Sequence, residues 1–396
     1  MGPGSPGPVA IVGGPDRAGA LARPGEAVSS PMRVGVVGSG LIGTSAAMAL
    51  LDAGHEVLLS DVDPEVVGRA MAISGARAWV PAADAELDAL LDVVLIAVPP
   101  AATGGLIATL SRLNPHITVS DVCSVKTQPL LEAEQRGAVM ANVVGGHPVA
   151  GREISGPQGA VRDLFRDRPW VLCPGPQTSG RALHRMDVLV RACGASPVVM
   201  TAASHDVALA TVSHMPQVVA SAVAAALQNL DEKDVRLAGP GVRDVTRIAG
   251  SDPTLWSEIL QANEPAVRAA VMAVHDRLGQ LLKCAPREFG AEAASLITAG
   301  RVGRERLPTK GDRARAWSWL WVRVPDRPGE LGRILVAAGA AGINVEDLRV
   351  QHADTGITGW ALLAVDEVQA EELMAELICL GWDVELHTDG GDAGAH

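Results

Sequence analysis

The sequence predicts an α/β protein in three parts: a parallel β-sheet domain covered by helices, an all-helical second domain, and a small C-terminal βαββαβ domain. Three observations carry this reading. Over residues 32–178 short apolar runs of β-forming residues alternate with helical stretches, the pattern of a parallel sheet buried on both faces. Residues 201–300 hold long Ala-rich stretches at helical spacing with almost no alternation. Strand texture then returns at 317–324, Trp-Ser-Trp-Leu-Trp-Val-Arg-Val. A length of 396 residues fits two or three domains at roughly 150 residues each.

The elements follow in order. Residues 1–31 are rich in Gly, Pro and Ala and hold no apolar stretch after a basic start; they read as a disordered tail with Met32 as an alternative start. The sheet domain, 32–178, opens with an apolar run from Arg33 to Gly38, then a helix over 42–53 stopped by Gly54. Further strands are expected at His55–Ser60, Val93–Val98, Ile117–Ser120, Val143–Val144 and Trp170–Cys173. In the helical domain, 179–300, Val218, Val219, Ala222, Val223, Ala226 and Leu227 suit a helix buried on more than one side. The polar, basic segment 301–316 reads as a linker. The last domain, 317–390, is expected to place strands at 317–324, after Asn344, at 358–364 and at 382–387, with helices at 328–341 and 367–380. That βαββαβ order is ferredoxin-like. In its first strand Trp317, Trp319 and Trp321 share one face, and Leu320, Val322 and Val324 face the helices. The indole face needs cover, from the catalytic part or from another copy.

Composition excludes several classes. A formal net charge of −12 argues against a nucleic-acid partner. Lys occurs only at 126, 233, 283 and 310, and Tyr is absent; this skew resembles codon bias, so Arg abundance is not itself a functional signal. Five Cys without CxxC spacing indicate neither a disulfide framework nor a metal site, and suit a reducing cytoplasm. No apolar run reaches the roughly 18 residues of a membrane span, so no membrane partner is expected.

Gly38-Ser39-Gly40-Leu41-Ile42-Gly43 matches GxGxxG. It follows a strand, opens a helix, and has Asp61 at the end of the next strand, 18 residues after Gly43. In that context the motif is a Rossmann-type dinucleotide loop: a tight turn, close approach of a pyrophosphate, close helix–strand packing, and free N–H groups at the helix start. Asp61 can accept from both ribose hydroxyls and would repel a 2′-phosphate, which favours NAD over NADP.

Ligands in such sheets sit beyond the carboxyl ends of the strands. There the chain has Ser120-Asp121-Val-Cys-Ser124-Val-Lys126, then Gly145-Gly146-His147-Pro148, then Arg152-Glu153. His147, bracketed by glycines and a proline, is either a positioned acid/base group or a satisfied structural histidine. The helical part adds Ser204-His205-Asp206, Ser213-His214-Met215-Pro216-Gln217, and Arg243 with Arg247 at i, i+4. That Arg pair either grips carboxylates or forms a solvated face paired with Asp244.

Together these motifs resemble the prephenate/arogenate dehydrogenase family, over about residues 33–300. The carriers are the glycine loop with Asp61, Asp121-x-x-Ser124-x-Lys126, Gly-Gly-His147-Pro-x-Ala-Gly, Ser213-His214-x-Pro216, and Arg243-Asp-x-Thr-Arg247-Ile-Ala with Ser251-Asp-Pro and Trp256. The segment Asp326-Arg-Pro-Gly329-Glu-Leu331-Gly332 with Gly342-Ile-Asn344 resembles an ACT domain. The resemblance implies NAD-dependent oxidative decarboxylation of prephenate to 4-hydroxyphenylpyruvate in tyrosine biosynthesis. His147 would be the base, Ser124 would hold the hydroxyl and the nicotinamide end, and Arg247, Arg243, His214 and Gln217 would contact substrate. Glu153 would gate access or orient Arg groups. Asp326, Gly329, Leu331 and Asn344 would form an effector site, with tyrosine the expected inhibitor, and the chain would be a homodimer. Some relatives carry a second His where this chain has Gln217, a neutral donor that suits the keto acid of prephenate. Arogenate dehydrogenase is the alternative enzyme. A β-hydroxyacid dehydrogenase would want a lysine in the helical part, where Lys233 and Lys283 lack a suitable motif. An inactive amino-acid and NAD sensor would be expected to have lost Ser124, His147 or Arg247, and all are present.

Overall fold

The computed structural model describes residues 30–387 apart from 84, 153, 308–316, 326 and 353–357. Glu153, Asp326, nearly all of the tail, much of the linker and residues 388–390 therefore lie outside the described residues. The chain forms two compact units that divide at Asp276/Arg277.

The first unit begins with eight strands and the helices between them: β1 (Arg33–Val37), α1 (Leu41–Asp52), β2 (Glu56–Ser60), α2 (Pro64–Ser74), β3 (Arg77–Ala78), α3 (Ala85–Leu90), β4 (Val93–Ile96), α4 (Pro100–Leu110), β5 (Thr118–Asp121), α5 (Thr127–Gln135), β6 (Val143–Pro148), β7 (Pro169–Pro174), α6 (Gly180–Ala192) and β8 (Ser196–Val199). The sheet order is β3-β2-β1-β4-β5-β6-β7-β8. Strand order reverses beside β1, which opens the crevice where such sheets bind ligands. Val34, Val36, Val93, Leu95 and Val144 fill one layer of the core with α1 and α6, and Val94, Ile96, Val119 and Ile107 fill the other.

Two features depart from the sequence reading. The sheet is not parallel throughout: β6 pairs antiparallel with β7, Gly146 opposite Leu172 and His147 opposite Val171. A parallel return needs a crossover, usually a helix, and among the described residues of the segment joining β6 to β7 there is only a 3-10 turn at Pro157–Gly159. The sheet also continues past residue 178. The amphipathic helix α6 buries Ala182, Met186, Leu189 and Val190 and delivers β8 parallel to β7.

The rest of the first unit is helical: α7 (Ala202–Leu209), α8 (Met215–Ala226), α9 (Glu232–Val235), α10 (Pro240–Thr246), α11 (Pro253–Ala262) and the start of α12 (Glu264–Lys283). A π-turn at Ala210–His214 joins α7 to α8, giving a helix of 28 residues, Ala202–Asn229, with a window of mean hydropathy 1.4. By length and composition it could cross a membrane, which corrects the expectation that no such segment exists. Its buried positions nevertheless include four polar side chains, His205, Asp206, His214 and Gln217.

The second unit holds the end of α12, then α13 (Phe289–Arg304), β9 (Trp317–Pro325), α14 (Glu330–Ala340), β10 (Asp347–His352), β11 (Thr358–Asp366), α15 (Glu367–Cys379) and β12 (Asp383–His387). Helix α13 runs four residues into the segment read as linker. The antiparallel sheet has the order β10-β11-β9-β12. Leu320, Val322 and Val324 pack against Ile334, Ala337, Leu373 and Leu377 of the two helices. Trp319 and Trp321 lie on the opposite face with Trp360, Leu362 and Ala364, as strand alternation requires. The Arg349 guanidinium stacks 4.5 Å over the Trp319 ring.

Candidate active site

The glycine loop joins β1 to α1, and its three glycines serve different ends. Gly38 has φ +98°, and a Cβ there would lie 2.2 Å from the Ala97 carbonyl oxygen. A Cβ on Gly43 would lie 1.9 Å from the Gly38 oxygen. A Cβ on Gly40 would meet nothing within 4 Å, so the chain's own packing does not require that glycine. Close approach by an external group does. Gly40 caps α1 without any side-chain hydrogen bond, which leaves first-turn N–H groups of Leu41 and Ile42 for an anion. The Ser39 N–H donates to Asp61 Oδ2 at 2.8 Å, tying the loop to the end of β2. These residues fit a dinucleotide.

Strands β5 and β6 run parallel, Ser120 beside Val144. That pairing carries His147 to the sheet edge where Asp121 and the glycine loop also lie. Packing forces the glycine at 146, where a Cβ would lie 2.3 Å from the Asp121 carbonyl oxygen; one on Gly145 would fit tightly, 3.1–3.3 Å from side-chain atoms of Leu130, Lys126 and Cys173. Asp121 and Lys126 are fully buried and form an ion pair. Asp121 also accepts from the N–H groups of Cys123, 2.9 Å, and Gly146, 3.3 Å. Such a pair persists in the interior only because further hydrogen bonds satisfy it.

The helical part closes over this edge. Trp256 and Ile259 of α11 pack on Cys123 and Val125. From α7, His205 reaches His147: His147 Nδ1 and His205 Nε2 are 2.8 Å apart, with the rings edge-on at 76°. His205 Nδ1 is 2.8 Å from Asp206 Oδ1. Asp206 in turn accepts from the main-chain N–H of Lys126 and of Thr127, both at 2.8 Å, which caps α5, a helix with no side-chain cap of its own. Asn263 donates to the Asp206 carbonyl at 2.8 Å and lies 3.2 Å from His214 Nδ1.

The electrostatics follow from burial. Desolvation drives the His147 pKa well below the ordinary histidine value, helped by His205, Lys126 and His214 and opposed by Asp206. Burial brings His214 down to about 4, against opposing pulls from Asp206 and the Ser124 main chain. Burial alone would raise Asp206, but the hydrogen bonds from His205, Thr127 and Lys126 outweigh it and hold the carboxyl low. The edge thus presents a neutral imidazole over an ionised carboxylate.

The residues expected at the site divide by position. His147 is joined with His205, Asp206 and Lys126, while Ser124 lies half-buried in the turn after β5. His214 is fully buried behind them. Gln217 spends its amide on the protein, donating to the Ile248 carbonyl at 2.9 Å. Arg243 in α10 and Arg247 at the 3-10 turn that follows are exposed. In the second unit Gly329 caps α14 in the left-handed region with φ +92°, Leu331 packs on the small-domain core, and Asn344 donates to Glu346 at 2.9 Å. The sequence marked His205 and Asp206 as a candidate cluster without assigning them a role, and Asn263 was not singled out. The signal for two of them was present, a His-Asp pair at the start of a helix, but nothing local says which strand it faces.

Comparison with known proteins bears on these features. A family model described as the nucleotide-binding domain of prephenate dehydrogenase matches residues 46–199, and one described as its dimerization domain matches 201–287. The chain is 31% identical to the "Probable prephenate dehydrogenase NovF" of Streptomyces niveus, over 88% of this chain and 98% of that one. Among solved structures it resembles the prephenate dehydrogenase of Aquifex aeolicus in complex with hydroxyphenyl propionate and NAD+, at 26% identity and TM-score 0.63, over 71% of this chain and 99% of the other. It also resembles the arogenate dehydrogenase of Synechocystis, at 28% identity and TM-score 0.59, over 69% of this chain and 99% of that one.

Proposed function

The chain belongs to the prephenate dehydrogenase family, and on that premise we propose that it oxidises and decarboxylates prephenate with NAD, releasing 4-hydroxyphenylpyruvate and carbon dioxide. The observation that carries the reading is His147, a buried imidazole held neutral at the carboxyl edge of β6, on the same side of the sheet as the glycine loop. Bound NAD supplies the acceptor for the hydrogen that leaves the hydroxyl-bearing ring carbon with its electron pair. His147 takes the hydroxyl proton as that bond breaks. The ring carboxylate departs as carbon dioxide, its electron pair aromatises the ring, and the proton returns to the oxygen. A positioned base of this kind contributes about 10²–10⁴-fold. Ser124 orients the hydroxyl, Arg247 and Arg243 attract the carboxylates of the dianionic substrate, and Asp61 receives the adenosine ribose.

The remaining assignments rest on the same family reading. Val223, Leu230 and Leu237 are exposed, Leu237 to 83%; a second copy packed on the helical part would cover such residues, which supports a homodimer. The βαββαβ order and β10-β11-β9-β12 sheet support an ACT-type regulatory domain, with Gly329, Leu331 and Asn344 beside its effector loop and tyrosine as inhibitor. All five cysteines are free, in keeping with a reducing cytoplasm.

The test follows NADH absorbance with prephenate and with arogenate. NADH from prephenate is expected. NADH from arogenate alone would move the substrate to the amino acid, and none from either would overturn the reading. Calorimetry of the full chain with tyrosine tests the effector; absence of binding heat would remove it.

A further inference from the structure

We infer that His205 and Asp206 act as positioning residues: they fix the tautomer of His147, so that its bare nitrogen, and hence the base, is Nε2. The inference deepens the proposed dehydrogenase reaction and rests on it for the role of His147 as base.

The chain of deductions starts at the carboxylate. Asp206 Oδ1 and Oδ2 each accept a main-chain N–H, from Lys126 and Thr127. Two donors aimed at it keep it ionised and leave it only an acceptor. His205 Nδ1 lies 2.8 Å from Oδ1, so Nδ1 carries the proton. His205 is fully buried, and its ring faces His147, with Lys126 and His214 near the same pair. Of the groups acting on His147, His205, Lys126 and His214 disfavour added positive charge and Asp206 favours it. A neutral imidazole carries one N–H, and on His205 that proton is placed on Nδ1 by the carboxylate, so its Nε2 is bare. That nitrogen sits 2.8 Å from His147 Nδ1. Two lone pairs cannot face each other at that distance, so His147 Nδ1 donates. Neutral His147 then has its lone pair on Nε2, the nitrogen pointing away from α7. When Nε2 takes the substrate proton, the new charge is shared through Nδ1–H with His205 and felt by Asp206. The opposite arrangement, His205 doubly protonated against Asp206, would turn His147 round to carry its proton on Nε2, where it could not accept one. The logic matches an acid–imidazole pair that holds a catalytic histidine in its working tautomer, with an imidazole inserted between.

Two measurements test this. Nitrogen-15 NMR of the wild-type chain with NAD reads the tautomers without substrate, His147 and His205 being assigned by the signals lost in His147→Asn and His205→Asn. Both are expected protonated on Nδ1 near neutral pH; His147 protonated on Nε2 would overturn the inference. In turnover, His205→Asn and Asp206→Asn are expected to lower kcat at least about ten-fold with KM for prephenate nearly unchanged. In Asp206→Asn the acid limb of kcat/KM should also move to lower pH, because the charge that favours His147 protonation is gone. Wild-type kcat in His205→Asn, or wild-type kcat with an unmoved acid limb in Asp206→Asn, would overturn it. A wild-type chain inactive toward prephenate would instead strike the proposed reaction, and the NMR result would still judge the tautomer.

Discussion

Gly43 sits against the carbonyl of Gly38, so close that a Cβ on Gly43 would stand 1.9 Å from that oxygen. The first and third glycines of the loop are therefore needed for folding and the second is not. Gly43→Ala and Gly38→Ala should lower the melting temperature, Gly38 also because its φ of +98° strains any side chain. Gly40→Ala should melt like the wild type, yet bind NAD about ten-fold more weakly, or ~1.4 kcal/mol. Thermal melts with NAD titration by fluorescence check both; equal NAD affinity in Gly40→Ala would deny the pyrophosphate its place there.

His147→Asn should cost about 10²–10⁴-fold in kcat while leaving KM for prephenate close to wild type. The ring lies at the sheet edge, held by His205 and preceded by two glycines, so the fold should survive. Steady-state kinetics decide the matter, and a variant keeping more than a tenth of turnover would reject His147 as base.

Gln217 donates to Ile248 O, one residue after Arg247. Arg247→Ala should raise KM for prephenate strongly, and Gln217→Ala should raise it less, with kcat kept in both. Loss of a charge-assisted hydrogen bond is worth about 1.5–3 kcal/mol and of a neutral one ~1 kcal/mol, so the KM ratio between the variants should exceed unity severalfold. An unchanged KM in Arg247→Ala would remove that residue from the site.

Burial depresses the pKa of His55, His147 and His214 in the folded chain, the last to about 4. Each therefore takes up a proton more readily when unfolded. The stability this confers is complete above about pH 6.5 and is lost as pH falls toward the folded values. Urea unfolding at a series of pH values should show the midpoint fall from neutral pH toward pH about 4; a flat profile over that range would contradict the burial of these rings.

How much was legible in the sequence varies by element. The glycine loop, Asp61 and the strands flanking them are local: a short apolar run, a turn and a helix start occupy about 30 consecutive residues, and each constrains the next. The alternation of Trp319 and Trp321 with Leu320 and Val322 was equally legible, because strand geometry alone assigns the faces. His147 was visible as a histidine after two glycines. The antiparallel β7 was not visible, since an apolar run has the same appearance in either direction. Nor was the extension of the sheet to β8, whose Ser-Pro-Val-Val lacks a distinctive pattern.

By itself the sequence determined the dinucleotide loop, the kinds of secondary structure and the family, because these depend on residues near one another in the chain. Only the tertiary structure decided what stands behind His147 and what Gln217 holds. His205 is 58 residues from His147, Asp206 is 80 from Lys126, and Asn263 is 57 from Asp206. Hydrogen bonds across such separations form where packing brings α7 and α11 over the sheet edge. Their partners are chosen by that packing, and no local pattern encodes them.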